Sequence, residues 1–172
     1  MPPSAPPAVQ EVFAACAPLV WRTLRRLGFG EADVEELAQE VFVVVHRKLP
    51  GFEGRAKVTT WVYGICVRVA SDHRRRAHVR YETSLDAAPE PAAEATQDAA
   101  MAQADARRAL DRALAALDDD KRVVFVLYEI EELPMADVAE AVGVPLQTAY
   151  SRLHAARRQL ADALGRRTGG AA

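Results

Sequence analysis

Two blocks of apolar residues at helical spacing, separated by a segment poor in large apolar residues, limit what this chain can fold into. In the first block, residues 9–82, apolar residues recur three or four positions apart, as in Val20, Leu24 and Leu27. This spacing places them on one face of an α-helix. The second block, residues 105–166, has the same periodicity. The pattern predicts an all-α fold of two small helical domains.

The segment between the blocks, residues 83–104, has a different composition. Ala, Pro, Glu and Asp dominate it, and it contains no Lys or Arg. Because it has few large apolar side chains to bury, we predict an acidic linker that is disordered or loosely helical. Domains joined by such a linker are expected to have a loosely set relative position in the free protein.

The first domain is predicted to contain three or four helices. The first helix covers about residues 9–27, and we expect a kink or break at Pro18, which cannot donate a backbone hydrogen bond. The second helix begins near Asp33, in capping-box spacing with Glu36. The third opens near Thr59 or Thr60, either of which has a hydroxyl that can cap it.

The third helix combines aromatic and basic residues. Trp61, Ile65 and Val69 share its predicted buried face, whereas Tyr63 points away from them and is predicted to be exposed. Five arginines lie between Arg68 and Arg80. Basic and aromatic side chains on one helix suit the binding of an opened DNA strand, whose nucleobases can stack on the aromatic rings. A core tryptophan followed by a solvated helix end is the alternative interpretation.

The second helix, around residues 33–46, is acidic on one face and apolar on the other. It is either a core helix with a solvated face or a surface for a basic partner protein. Periodicity does not decide between these two.

A helix-turn-helix pattern lies in the second domain. One helix runs from about Pro134 to Val142, Gly143 occupies the turn, and another helix starts near Pro145. A buried seam is predicted at Val138, Val142, Val144, Ala149 and Leu153. The outward face carries polar and basic side chains that can reach base edges or phosphates: Gln147, Tyr150, Ser151, His154 and Arg158. An amphipathic helix with a solvated polar face is the alternative.

The formal net charge of −2 and the pI near 6.1 argue weakly against a nucleic-acid partner for the chain as a whole. The distribution argues for one. Five arginines and one acidic residue lie between Arg152 and Arg167, whereas residues 82–105 contain acids and no bases. The near-neutral total therefore conceals separate basic and acidic surfaces.

Taken together, DVEELAQEVF, FEGRAKVTTWVYGI and DHRRR resemble region 2 of the extracytoplasmic-function (ECF) group of sigma factors. The stretch LAALDDDKRVVFVLYEIEELPMADVAEAVGVPLQTAYSRLHAARRQL resembles their region 4, and the order of the two regions is that of the family. The resemblance implies a non-catalytic subunit that binds core RNA polymerase and promoter DNA. It also suggests an anti-sigma partner that clamps the two domains together.

The resemblance assigns candidate residues to three surfaces. Polymerase binding falls on Asp33, Glu35, Glu36, Gln39, Glu40 and Phe42. Engagement of the melted minus-10 element falls on Trp61, Tyr63, Arg68, Asp72, His73, Arg74, Arg75 and Arg76. Recognition of the minus-35 element falls on Gln147, Thr148, Tyr150, Ser151, Arg152, His154, Arg157 and Arg158. The family often has Asn in place of Arg68 and Lys or Arg in place of Tyr150, so both differences bear on promoter preference.

Two other classes of function fit the sequence less well. A transcriptional regulator with a sensory N-terminal domain shares the helix-turn-helix but leaves the acidic helix and the Trp-Tyr-Arg helix unexplained. A metal-dependent hydrolase would need ligand spacing among His46, His73, His78 and His154, and none is present. No metal, cofactor or small-molecule substrate is therefore expected.

The remaining features indicate a cytoplasmic protein. Cys16 and Cys66 lie in apolar helical patterns and are predicted to be buried free thiols. The N-terminal residues lack the cationic and apolar stretches of a signal peptide, and no apolar run reaches membrane-spanning length.

Overall fold

The structure is a computed structural model that describes residues 7–83 and 98–168, and within them the chain forms seven α-helices and no β-strand. The N-terminal domain consists of α1 (Val9–Arg26), α2 (Glu31–Lys48), a short 3-10 turn (Leu49–Gly51) and α3 (Val58–Thr83). The C-terminal domain consists of α4 (Asp98–Ala115), α5 (Asp119–Phe125), one π-helical turn (Val126–Ile130), α6 (Met135–Val142) and α7 (Leu146–Thr168). The predicted all-α class is confirmed.

The core of the N-terminal domain lies where its three helices pack against one another. Its buried side chains include Val12, Cys16, Val20, Leu24, Val34, Leu37, Val41, Val45, Val62, Ile65, Cys66 and Val69. Burying each Val, Leu or Ile side chain contributes about 1.5–3 kcal/mol relative to its exposure. Both thiols are free and buried, as predicted, and burial raises the pKa of the Cys66 thiol to about 12.

Local signals for the helix ends in this domain were less accurate than the periodicity. The break expected at Pro18 is absent, because one buried stripe runs through α1 on both sides of the proline. Helix α2 begins at Glu31, after an extended Gly30, so Asp33 lies in the first turn and is not the cap. Helix α3 begins at Val58, so Thr60 is already inside the helix and buried.

The helix-turn-helix of the C-terminal domain is confirmed in its predicted position. Helix α6 ends at Val142, and Gly143 after it has a φ of +70°, the left-handed conformation that favours glycine. Val138, Ala149 and Leu153 are buried between α6 and α7, and Val142 and Val144 are partly buried. The seam predicted from spacing therefore holds the two helices together.

The two domains are packed against each other, which differs from the loosely set arrangement expected from the linker. Helix α3 lies along α6, and α1 contacts the π-helical turn. Residues 84–97 of the expected linker lie outside the described residues, and residues 98–104 belong to α4. Small side chains allow the close approach, since a Cβ atom on Gly64 would lie only 3.4 Å from the carbonyl oxygen of Ala141.

Candidate nucleic-acid and polymerase interface

Helix α7 presents a polar face to solvent. Gln147, Ser151 and His154 are exposed, and Tyr150 is 38% exposed. Its N-terminus follows the Gly143 turn, so this face is held by a buried seam on the opposite side of the helix. Recognition helices of this motif enter the major groove with such a face.

The basic residues of α7 differ in how free they are. Arg152 forms an ion pair with Asp120 at 2.6 Å and is half-buried. Arg157 donates to Glu129 at 2.7 Å. Arg158 is exposed and has no ion-pair partner in the described parts of the chain. Thr148, the remaining candidate residue of α7, is half-buried. Arg158 is therefore the arginine of this set that is available to a phosphate without breaking an existing pair.

Helix α3 does not present the face that was predicted. Tyr63 is 4% exposed, and its hydroxyl donates to Glu131 of the C-terminal domain at 2.9 Å. Its predicted exposure is wrong because α6 packs along α3 and Glu131 binds the Tyr63 hydroxyl. Burial and the hydrogen bond to Glu131 raise the pKa of Tyr63 above its ordinary value.

The remaining candidate residues of α3 spread around the helix. Trp61 is partly buried against Phe52, with ring centroids 5.1 Å apart. Arg68 is exposed, His73 packs edge-on against Phe29, and Arg75 pairs with Asp72 in the adjacent turn. Arg76 pairs with Glu40 of α2 at 3.2 Å. The structure therefore does not bring all these side chains onto one surface.

Arg74 has the most constrained position among the arginines of α3. Its guanidinium donates to the carbonyl of Leu27, forms an ion pair with Asp119 at 2.5 Å and lies over the ring of Phe29. Desolvation lowers its pKa. With Arg68, Arg152 and Val142, it lines a cleft of about 190 Å³ between the domains.

Helix α2 carries the candidate polymerase surface. Four of its candidate residues are exposed, namely Asp33, Glu35, Glu36 and Gln39, whereas Glu40 is half-buried. The ring of Phe42 packs against those of Phe13 and Trp21, with centroids 4.6 Å and 6.3 Å apart. Phe13 and Val43 are themselves about half exposed, at 46% and 47%. The acidic face of α2 thus borders an exposed apolar patch.

The described residues contain no group of His, Cys, Asp and Glu side chains arranged to hold a metal ion. In that same part of the chain, no helix combines the length and the apolar character that crossing a membrane requires.

Comparison with known proteins places the two domains in one family. Residues 12–81 match the family model of sigma-70 region 2, and residues 107–160 match that of sigma-70 region 4. The ECF RNA polymerase sigma factor SigC of Mycobacterium tuberculosis is 31% identical over 158 residues, which cover 91% of this chain and 83% of that protein. The chain belongs to the ECF group of the sigma-70 family.

Other comparisons agree with this assignment. The ECF RNA polymerase sigma factor SigE of Mycolicibacterium smegmatis is 33% identical over 174 residues, and the match covers 64% of its length. The sigma factor RpoE of Bartonella quintana, solved with the anti-sigma factor NepR, has a TM-score of 0.72 at 20% identity, covering 91% of this chain and 96% of that one. CnrH, solved with the cytosolic domain of CnrY, has a TM-score of 0.66 at 22% identity, covering 91% and 87%. At these identities the two structures support the fold.

Sequence reasoning missed the residues that join the two domains of this sigma factor. Glu131 makes the central contact between the domains, because its carboxylate accepts hydrogen bonds from Arg22, at 2.8 Å, and from Tyr63. These partners are 109 and 68 residues away in the chain. Glu131 lies in the acidic stretch EIEEL, which has the composition of a solvated surface, so no sequence signal marked it.

The backbone around Glu131 is irregular. A π-helical turn precedes it, and Glu132 after it has a φ of +55°, which is uncommon for a residue with a side chain. Together they end the helix and direct the side chain of Glu131 into the N-terminal domain, where none of it is accessible to solvent. Such local irregularity is frequent where a particular side chain must be aimed.

Proposed function

We propose that this sigma factor binds core RNA polymerase and directs it to promoters, with α7 reading the minus-35 element and α3 engaging the melted minus-10 element. The observation that carries the proposal is the exposed polar face of α7 on a helix-turn-helix whose seam is buried. Its position in a chain that also contains region 2 argues against an ordinary repressor or activator.

The direct test is reconstitution. The purified chain is expected to co-elute with core polymerase and to make it start transcription at a defined promoter. A regulator of the ordinary kind would bind DNA alone and would not give core polymerase a start site. A chain that fails both to co-elute and to support a specific transcript would remove the proposal.

Docking on the polymerase is proposed for the acidic face of α2. Glu36 is exposed and has no ion-pair partner in the described residues, whereas Glu40 already pairs with Arg76. Charge reversal at Glu36 therefore changes only the outer surface, and reversal at Glu40 also breaks a contact with α3. We expect Glu36→Lys to weaken binding to core polymerase, since a charge complementary to a basic partner is replaced by a repulsive one.

The matched control for this test is Glu140→Lys, which makes the same change of charge on exposed surface of the C-terminal domain. Both variants should keep the circular dichroism spectrum of the wild type. Equal pull-down by core polymerase of Glu36→Lys and the wild type, with both folded, would exclude the acidic face of α2 as the docking surface.

The other properties of the chain follow from this role. It is proposed to be a non-catalytic subunit without a cofactor, since the chemistry of RNA synthesis belongs to the polymerase, and to act in the cytoplasm, where the polymerase is. An anti-sigma partner is proposed because RpoE and CnrH were solved in complexes, the first with an anti-sigma factor. Its test is whether an inhibitor co-purifies with the chain from its own cells.

A further inference from the structure

The first two turns of α7 present an exposed apolar pair. Leu146, the first residue of the helix, is 47% exposed, and Tyr150 is exposed one turn later. Residues four positions apart are neighbours on a helix surface, so the two side chains form one apolar edge. Five large hydrophobic residues in the described parts of the chain are exposed, and this edge contains two of them. Helix α7 thus presents apolar as well as polar surface to solvent.

Packing within the domain does not account for this edge. Ala149 and Leu153 have the same spacing, but they are buried in the seam of the helix-turn-helix. Tyr150 instead lies directly before Ser151 of the exposed polar face. The edge formed by Leu146 and Tyr150 therefore borders the surface that is proposed to read the minus-35 element.

Duplex DNA offers one kind of apolar group to such an edge. In the major groove the base pairs present hydrogen-bond donors and acceptors, and the apolar group among them is the methyl group of thymine. Recognition helices of this motif contact the base edges with their N-terminal residues. Leu146 and Tyr150 lie at that end of α7. An apolar edge in this position therefore matches thymine.

The same end of α7 lacks the side chains that read guanine best. The commonest specific contact to a base is an Arg or Lys that binds guanine with two hydrogen bonds. Residues 144–151 contain no Arg or Lys, and the next residue, Arg152, is half-buried and paired with Asp120 at 2.6 Å. The first two turns of the helix therefore do not favour a G·C pair.

Gln147 supplies the polar contact that goes with thymine. It follows Leu146 in the chain and is exposed. A glutamine amide pairs with adenine in the major groove, because it can donate to the ring nitrogen and accept from the amino group of that base. Adenine pairs with thymine, so the amide contact and the methyl contact both favour A·T pairs.

We propose that the N-terminal end of α7 selects A·T pairs in the minus-35 element, with Leu146 and Tyr150 contacting the methyl group of thymine and Gln147 binding adenine. The inference rests on the proposed function, in which α7 enters the major groove. It adds Leu146 to the residues that decide promoter preference, and it names the bases that this end of the helix prefers. Ser151 and His154 lie further along the exposed face and are left to read neighbouring pairs.

The first experiment changes the DNA and leaves the protein as it is. Holoenzyme, assembled from core polymerase and the full chain, selects its preferred minus-35 element from duplexes in which that element is randomised. The selected element is expected to contain an A·T or T·A pair at a fixed position. Replacing its thymine by uracil removes only the methyl group, and loss of this one buried group should weaken binding about fourfold. Uracil at thymines outside the minus-35 element is the control and should have no effect.

The second experiment assigns the methyl contact to the apolar edge. Holoenzyme with the double substitution Leu146→Ala and Tyr150→Ala should bind the thymine and uracil duplexes equally. Leu146→Met, which keeps an apolar side chain of similar size, should retain the discrimination. Circular dichroism verifies that the helices are retained, and co-elution with core polymerase should equal that of the wild type. The uracil comparison with the wild type tests the inference even where a variant fails to fold.

The third experiment assigns the adenine contact. A duplex with 7-deazaadenine lacks the ring nitrogen that accepts from the Gln147 amide, and the wild type should bind it more weakly than the adenine duplex. Gln147→Ala should bind these two duplexes equally, and it should still prefer thymine to uracil. The amide and the apolar edge are thus distinguished by the base analogue to which each responds.

Four results would overturn the inference. They are a selected element without an A·T pair at a fixed position, equal binding of thymine and uracil by the wild type, a uracil effect that persists in the folded double variant, and weaker co-elution of that variant with core polymerase. The last would mean that the edge contacts protein instead of DNA. Any of them with a specific transcript from wild-type holoenzyme defeats only this inference, whereas no transcript and no selected element defeat the proposed function.

Discussion

Helices α7 and α3 are the two candidate DNA-reading elements, and they differ in how much of them is exposed to solvent. Tyr150 on α7 is 38% exposed, whereas Tyr63 on α3 is 4% exposed and bound to Glu131. Both helices are amphipathic, and both bury their apolar face in their own domain. The difference is what the polar side chains meet: those of α7 face solvent, whereas Tyr63 and Arg74 of α3 bind carboxylates of the other domain.

This contrast shows that exposure of a polar face depends on the whole molecule. Helix α7 can meet DNA in the conformation that the structure shows. Helix α3 needs the domains to separate before Tyr63 and Arg74 are accessible. Under the proposed function, contacts of Tyr63 and Arg74 with melted DNA would therefore require the domains to separate first.

The largest effect is expected on the stability of the buried seam that supports the exposed face of α7. Leu153 is 1% exposed in the seam between α6 and α7, so Leu153→Ala should destabilise the C-terminal domain by about 2–5 kcal/mol through lost packing and a residual cavity. Urea unfolding followed by circular dichroism measures it. Ser151→Ala, on the exposed side, is the control and should stay within about 0.5 kcal/mol of the wild type. Equal stability of the two variants would contradict the assigned faces of α7.

The next effect sharpens the contrast at α3. Tyr63→Phe keeps the ring and removes the donor to Glu131, and a hydrogen bond to a charged group contributes about 1.5–3 kcal/mol. We expect a larger radius of gyration and a lower urea midpoint than in the wild type. Tyr150→Phe, on the exposed face of α7, should change neither. A closed Tyr63→Phe variant with unaltered stability would show that the contact is incidental.

The same contact should depend on pH. The pKa of Tyr63 is raised by burial first and by the carboxylate of Glu131 second, with Arg22 acting in the opposite direction. A raised pKa means that the stabilisation is fully present below the ordinary tyrosine value of about 10 and is lost as the pH rises toward the higher value in the folded state. Tyr63→Phe should lack this alkaline opening, which scattering at increasing pH would reveal.

An effect of similar size is expected for promoter recognition by the exposed face of α7. Ser151 and His154 lie one turn apart on the exposed face of α7, and a good base-edge contact discriminates by about 1–3 kcal/mol. Ser151→Ala or His154→Ala should change which minus-35 base is preferred. Promoter binding by holoenzyme over single-base variants measures this. An unchanged preference in folded variants would mean that this face does not read the promoter.

The smallest effect separates two neighbouring arginines. Arg158 is free of ion pairs among the described residues, whereas Arg157 is held by Glu129 at 2.7 Å. Loss of a phosphate contact lowers the salt slope of binding by about one and weakens binding on all sequences alike. Arg158→Ala should show this, and Arg157→Ala should show less. The reverse order, measured at two salt concentrations, would reassign the phosphate contact to Arg157.

Several features could be predicted because they depend on short stretches of chain. The seam of the helix-turn-helix, the glycine at its turn and the outward face of α7 follow from spacing over about 20 residues. Helices α2 and α3 begin one or two residues before the predicted caps at Asp33 and at Thr59 or Thr60, because several residues in a row can cap a helix and packing chooses among them. The unbroken α1 shows packing overriding the expected effect of Pro18.

The all-α class, the two helical blocks, the helix-turn-helix and the family could all be predicted from the chain alone. These rest on periodicity and on motifs, both of which are local. The contact between the two blocks, the burial of Tyr63 and its hydrogen bond to Glu131 became visible only in the folded molecule. A contact between residues 68 or 109 positions apart leaves no periodic pattern, because an acid that pairs across an interface and an acid in solvent look the same in the sequence.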